Sequence, residues 1–239
     1  MILSFLYEDK IIEFEIIYSK RKTMSIEIDT SGLIKVKAPK GVPKKYILKS
    51  VQDKAHWIIE KQQQMKNINN KRIFRKISDG ETLLYLGKEC PIKLMLKIGS
   101  KEIEVNFIEE SESFLIITNT LDEDTIKIQI QKWYKEKSLE KLKERVDYFQ
   151  RYFDKKIKCL QVKEQKRRWA SCTYDNRILF NWRNIMAPPE VFDYIVVHEM
   201  CHMDFKDHSK NFWNRVEEIM PDYKNKHKWL KVNGIRMVL

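Results

Sequence analysis

The sequence predicts an α+β protein: a β-rich N-terminal module with a long helix, then a mixed domain built around a helix carrying His198-Glu199-Met200-Cys201-His202. Three observations predict it. The first forty residues alternate apolar and polar side chains with the period of two that suits half-buried strands. Two long segments, 42–66 and 122–153, carry apolar residues at helical spacing. The segment 189–203 is apolar nearly all round, as a buried helix is, yet it holds His198, Glu199 and His202.

The elements follow in order. Residues 11–16, 23–28 and 33–37 read as an antiparallel meander, with Thr30-Ser31-Gly32 as the turn between the last two. Val42-Pro43 opens a helix through about Lys66, with Ile47, Val51, Ala55 and Ile58 on one stripe. His56 lies within it, far from the other histidines, and reads as structural. Strands return over 77–118, including Thr82 to Leu86 and Phe114 to Ile117. The second long helix, 122–153, packs through Ile126, Ile130, Trp133, Leu142, Val146 and Phe149, with its charged residues solvated. Strands fill 157–183. Pro189 suits the first turn of the next helix, where a missing N–H is harmless. A last helix over 209–220, capped by Ser209 or Asp207, ends at Pro221. The expected division is 1–75 and 76–239, with the boundary falling between 70 and 120. No repeat or low-complexity linker marks it.

Composition narrows the class. Lysine and arginine number 46 against 34 acids, a net charge of +12. That permits a polyanionic partner such as nucleic acid. Two clusters contribute, Lys66 to Lys76 (with Lys71, Arg72 and Arg75) and Lys163 to Arg168 (with Lys166 and Arg167). No zinc knuckle or aromatic RNA-binding signature accompanies them. No apolar run approaches the roughly 20 residues that span a bilayer, so no membrane association is expected. The first nine residues lack a basic start and turn acidic too soon for a signal peptide. Cys90, Cys159, Cys172 and Cys201 form no dense framework, which suits a reducing cytoplasm.

The chemistry concentrates in one window. Three of five histidines lie between His198 and His208. Histidines four residues apart sit about 40° apart around a helix, so both imidazoles reach one metal ion. Glu199 falls one step around, beside the metal, where it can take a proton from a water. His208 is the natural third ligand, leaving a fourth position open. The chain from Met203 to Asp207 must then fold back. Cys172, Glu217 or Glu218 are fallback ligands. Cys201 points off the metal-facing side and reads as a buried thiol.

Several stretches resemble one family: Arg168-Trp169-Ala170-Ser171-Cys172, Ile178-Leu179-Phe180-Asn181-Trp182-Arg183, Ala187-Pro188-Pro189 and Tyr194-Ile195-Val196-Val197-His198-Glu199. His202, His208-Ser209-Lys210, Phe212-Trp213 and Pro221-Asp222-Tyr223 also fit, as do Ser19 to Ser25, Ala38-Pro39 and Tyr85-Leu86-Gly87-Lys88. The chain resembles the YgjP-like metallopeptidases, zincins related to the SprT and WLM proteins. One departure is Ala170, where the family usually has glycine. The resemblance implies a zincin-like C-terminal domain and one zinc ion per chain, held by His198, His202 and His208, with Glu199 catalytic.

The expected function is a zinc-dependent peptidase acting on a peptide or protein. The alternatives are a metal-dependent hydrolase of a non-peptide amide, and a nucleic-acid-associated protein or a protease of DNA-bound proteins. Arg168, Asn181, Tyr194 and His227 are candidate oxyanion or substrate contacts. Trp169, Trp182 and Trp213 read as core. The strand around Trp169 to Cys172, or that around Leu179 to Trp182, can pair with an extended peptide.

Overall fold

The computed structural model describes residues 1–29, 32–70, 76–100, 102–165 and 168–239, with the side chains of 64–70 also undescribed. Thr30 and Ser31 of the expected turn lie outside the described residues. So do Lys71, Arg72, Arg75, Lys166 and Arg167 of the basic clusters, and the Lys66 side chain. Contacts divide the chain into two units, Met1–Arg72 and Ile73–Leu239.

The first unit has four strands: β1 (Ile2–Tyr7), β2 (Lys10–Ser19), β3 (Ser25–Ile28) and β4 (Ile34–Pro39). Two helices follow, α1 (Lys44–Gln52) and α2 (Ala55–Asn70). The period of two does its expected job. Ile12, Phe14 and Ile16 of β2, with Ile34, Val36 and Ala38 of β4, bury against Ile47, Val51, Ala55 and Ile58. The order β1-β2-β4-β3 corrects the expected meander. β2 pairs with β4 in parallel, and among the described residues β3 pairs only with β4, antiparallel. The reason is burial. β4 carries the apolar triple Ile34, Val36 and Ala38 and takes an inner position, whereas β3 is half-buried throughout and suits an edge. The expected single helix is also broken, at Asp53 and Lys54, where Asp53 N–H closes onto Lys49 and Val51 carbonyls. The buried stripe survives the break.

The second unit opens with β5 (Thr82–Tyr85), β6 (Lys88–Leu96), β7 (Glu104–Ile108) and β8 (Ser113–Thr118) in the order β5-β6-β8-β7. α3 (Glu123–Phe149) starts at Asp122, whose carboxylate accepts from Thr125 N–H at 3.0 Å. All six of its expected packing residues are buried. Tyr134 is buried too, and its hydroxyl donates to Leu84 O at 2.8 Å. A second sheet follows, of β9 (Cys159–Lys163), β10 (Ala170–Cys172) and β11 (Arg177–Asn181), ordered β10-β11-β9. Three helices close the chain: α4 (Pro189–Cys201), α5 (Lys210–Ile219) and α6 (Tyr223–Asn233). Ser209 caps α5 without a side-chain bond, while its own N–H donates to Asp207 at 3.1 Å. Among the described residues, no helix is long and apolar enough to cross a membrane.

Candidate active site

α4 is positioned from both ends. At its start, Leu86 and Gly87 N–H groups donate to Ile185 and Met186 carbonyls, each at 3.0 Å. Gly87 has φ +84°, and a Cβ there would come within 2.8 Å of the Pro188 ring. Only glycine fits both the backbone and the space. Along its length, Val191, Ile195, Val196, Val197 and Met200 are buried, with Cys201 fully so. A fork from Arg145 on α3 to Asp193 (2.6 and 2.8 Å) ties α4 to the long helix.

Beyond Cys201 the chain folds back as expected. Lys155 Nζ donates to Met203 O at 2.7 Å. Lys206 Nζ donates to Thr173 O (3.3 Å) and Asn176 Oδ1 (2.8 Å), which latches the returning loop to the β10–β11 turn. His208 arrives with its Nε2 3.1 Å from His198 Nε2. His198, His202 and His208 each bring a ring nitrogen within 4.8 Å of the others. Among the described residues this is the one cluster able to hold a metal; Cys172, Glu217 and Glu218 are not in it. Glu217 and Glu218 pair with Lys224 and Arg215 instead.

The surroundings of the imidazoles suit metal ligation. His202 Nδ1 lies 3.0 Å from Phe205 O. A carbonyl only accepts, so Nδ1 carries the proton and Nε2 keeps its lone pair. Burial pushes His198 down to about 3, helped by its histidine neighbours. Burial likewise lowers His202. Both are neutral near pH 7, the form a metal requires. Phe212 stacks on His202 (4.4 Å between centroids) and Trp213 on His208 (5.7 Å). His198 Nδ1 and Glu199 Oε2 are buried without a hydrogen-bond partner among the described residues. Three converging imidazole nitrogens beside orphaned polar atoms fit a divalent cation of zinc's type.

Glu199 is 5% exposed. Burial pushes its carboxyl up to about 8, against the opposing pull of the Cys172 N–H and the Arg168 charge. A cleft of about 240 Å³ opens from His198 and Glu199, between Trp169 and Ala170 on one side and His227 and Leu230 on the other. His227, on α6, stacks with Tyr194 and Trp213, both at 6.0 Å. Burial lowers its pKa, with Lys231 adding to the shift. Burial raises the Tyr194 hydroxyl.

The other candidates separate cleanly. Tyr194 and His227 line the cleft; Arg168 is exposed and does not line it, preceding the lining residue Trp169 in the chain. Asn181 is structural: it is 2% exposed, its amide holds Gln165 and Arg168 carbonyls, and its oxygen caps Arg183 N–H. Trp182 is core, stacked on Tyr134. Trp169 and Trp213 are half-buried instead: Trp169 lines the cleft and Trp213 packs against His198 and His208. His56 is a surface residue 3.6 Å from Glu60. Sequence reasoning missed α6 as an element and the ring of Phe212 beneath His202. The adjacent aromatics Phe212-Trp213, so soon after His208, were the available signal.

Comparison with curated proteins gives no match. The crystal structure of the metallopeptidase zymogen of Pyrococcus abyssi abylysin is similar to 41% of this chain and 99% of its own, at 18% identity and a TM-score of 0.36. A family model of the YgjP-like metallopeptidase domain matches residues 22–233. The chain therefore belongs to the YgjP-like metallopeptidase family and is a peptidase.

Proposed function

We propose that the protein is a zinc peptidase in which His198, His202 and His208 hold the ion and Glu199 is the general base. One observation carries the reading: three imidazole nitrogens converge within 4.8 Å beside a buried carboxyl. Zinc bound there would polarise the scissile carbonyl and acidify a water. With the charge of the bound cation restoring its ionised form, Glu199 Oε2 would take the proton of the attacking water and deliver it to the leaving amine. The Cys172 N–H holds the same carboxyl in place.

Of the two segments expected to take a substrate strand, one is open to it. β11 is paired on both sides, so the segment around Leu179 is closed to it. β10 is an edge. Trp169 O and Thr173 N–H bond to β11, so Trp169, Ser171 and Thr173 face that strand. Ala170 and Cys172 then face the free edge. Glu199 takes the Cys172 N–H, which leaves the Ala170 N–H and C=O for an extended peptide. His227 and Tyr194, across the cleft, are the donors we assign to the carbonyl oxygen as charge develops there.

The test is metal content by elemental analysis, with cleavage of a fluorogenic peptide library, for the wild type, His208→Ala and Glu199→Gln. One zinc in wild type and Glu199→Gln, little in His208→Ala, and cleavage by the wild type alone are expected. Full zinc in His208→Ala would refute the ligand set, and cleavage by Glu199→Gln at the wild-type rate would refute the base.

A further inference from the structure

The cleft has an uneven charge that the peptidase reading does not use. Its walls near the histidines are apolar or aromatic: Trp169, Ile195 and Leu230. Glu199 is the one acid lining it, and that side chain is buried. At the rim stands Lys231, the residue after Leu230 and one helical turn beyond His227 on α6. Two other lysines of α6 are committed: Lys224 pairs with Glu217 at 2.9 Å and Lys226 pairs with Asp222. Lys231 is exposed and has no ion pair or hydrogen bond among the described residues. The Arg168 side chain, exposed just before β10, has none either among the described residues, and its charge reaches Glu199. A cationic rim over an apolar pocket matches a ligand of opposite pattern.

We infer that Lys231, supported by Arg168, selects peptides that carry a carboxylate next to an apolar residue filling the cleft. This rests on the peptidase reading and names its substrate class. The carboxylate has two sources, an Asp or Glu side chain or the free C-terminus of a peptide. Lys231 touches substrate in this role and does no bond chemistry. Its pairing is solvent-exposed, so the preference is modest, about fivefold, and weakens with salt.

The experiment uses the zinc-loaded protein and matched peptides differing only as Glu against Gln, as Glu against Lys, or as free against amidated C-terminus. Both kcat/KM and, by fluorescence anisotropy, binding of the same peptides are measured. The expected result is an approximately fivefold preference for the carboxylate peptide, lost in Lys231→Met and turned towards the lysine peptide in Lys231→Glu. The arm that responds, side chain or terminus, identifies the source. Equal treatment of all peptides by the wild type, or a preference unmoved by Lys231→Glu, would overturn the inference. If the wild type cleaves nothing, the peptidase reading fails. The binding arm still decides the rim: carboxylate-selective binding abolished in Lys231→Glu supports it, and unselective binding or none overturns it. Unchanged melting temperatures exclude a folding artefact, since Lys231 is exposed.

Discussion

Gly234, at the C-terminal end of α6, sets two effects of opposite sign against each other. Its backbone is helical, φ −56° and ψ −25°. Alanine is compatible with that conformation and by itself would stabilise by about 0.4–1 kcal/mol, because it restricts the unfolded chain. A Cβ there, however, would lie 2.5 Å from Trp169 Cζ2 and 3.3 Å from Cε2 and Cη2. An indole is rigid and must move as a body, and such overpacking costs about 1–3 kcal/mol. The clash wins. Gly234→Ala should destabilise by about 1 kcal/mol and lower the melting temperature by about 2–4 °C. Trp169 walls the cleft, so its displacement should also raise KM while leaving zinc content unchanged. The assay is urea and thermal unfolding of Gly234→Ala, of Trp169→Leu and of the double variant. With the indole gone, Gly234→Ala should turn stabilising by about 0.4–1 kcal/mol. A Gly234→Ala protein more stable than wild type, or a penalty undiminished beside Trp169→Leu, would refute the steric reasoning.

Three other outcomes are expected. Lys206→Met cuts the latch from the His208 loop to the β10–β11 turn and should weaken zinc affinity about tenfold, read by competition with a chromogenic chelator. Ala170→Pro removes one N–H from the free edge of β10 and should lower kcat/KM roughly two- to tenfold at full zinc occupancy. In the metal-free protein, His198 sits near 3 rather than 6.5, so stability falls as pH drops below about 4.5 towards 3, where the unfolded chain binds the extra proton. Glu199 sits near 8 rather than 4.5, so stability also falls as pH rises from about 6.5 to 8. Between 4.5 and 6.5 the two slopes oppose, and calorimetry of the chelated protein should show a plateau there. A curve that only rises with pH would contradict the Glu199 shift, and one that only falls would contradict the His198 shift.

Legibility in the sequence followed the physics of each element. α4 could be read because its apolar side chains surround the helix and the polar exceptions fall on one arc. α3 could be read from Ile126, Ile130, Leu142 and Val146 at helical spacing. α6 could not: only Tyr223 and Leu230 are buried on it, two full turns apart, among lysines and asparagines. The break at Asp53 carries no proline or glycine to announce it. The parallel pairing of β2 with β4 is a choice between partners, which alternation alone does not encode. The histidine cluster was legible because its spacing is local. The cleft was not, because Trp169, His227 and Lys231 meet only through tertiary packing.

The contact of Gly87 with Pro188 reaches further than a tight turn. The hairpin between β5 and β6 holds the start of α4 through two backbone bonds, and α3 grips that hairpin through the Tyr134 hydroxyl. The histidine helix is thus no portable cassette. Transplanting 168–239 onto another scaffold would leave Ile185 and Met186 carbonyls unmatched and Pro188 with nothing to lean on. Any shortened form meant to retain activity should keep the chain from about Ile77 onward, and an inserted residue at Leu86-Gly87 should disturb the histidines from a hundred positions away.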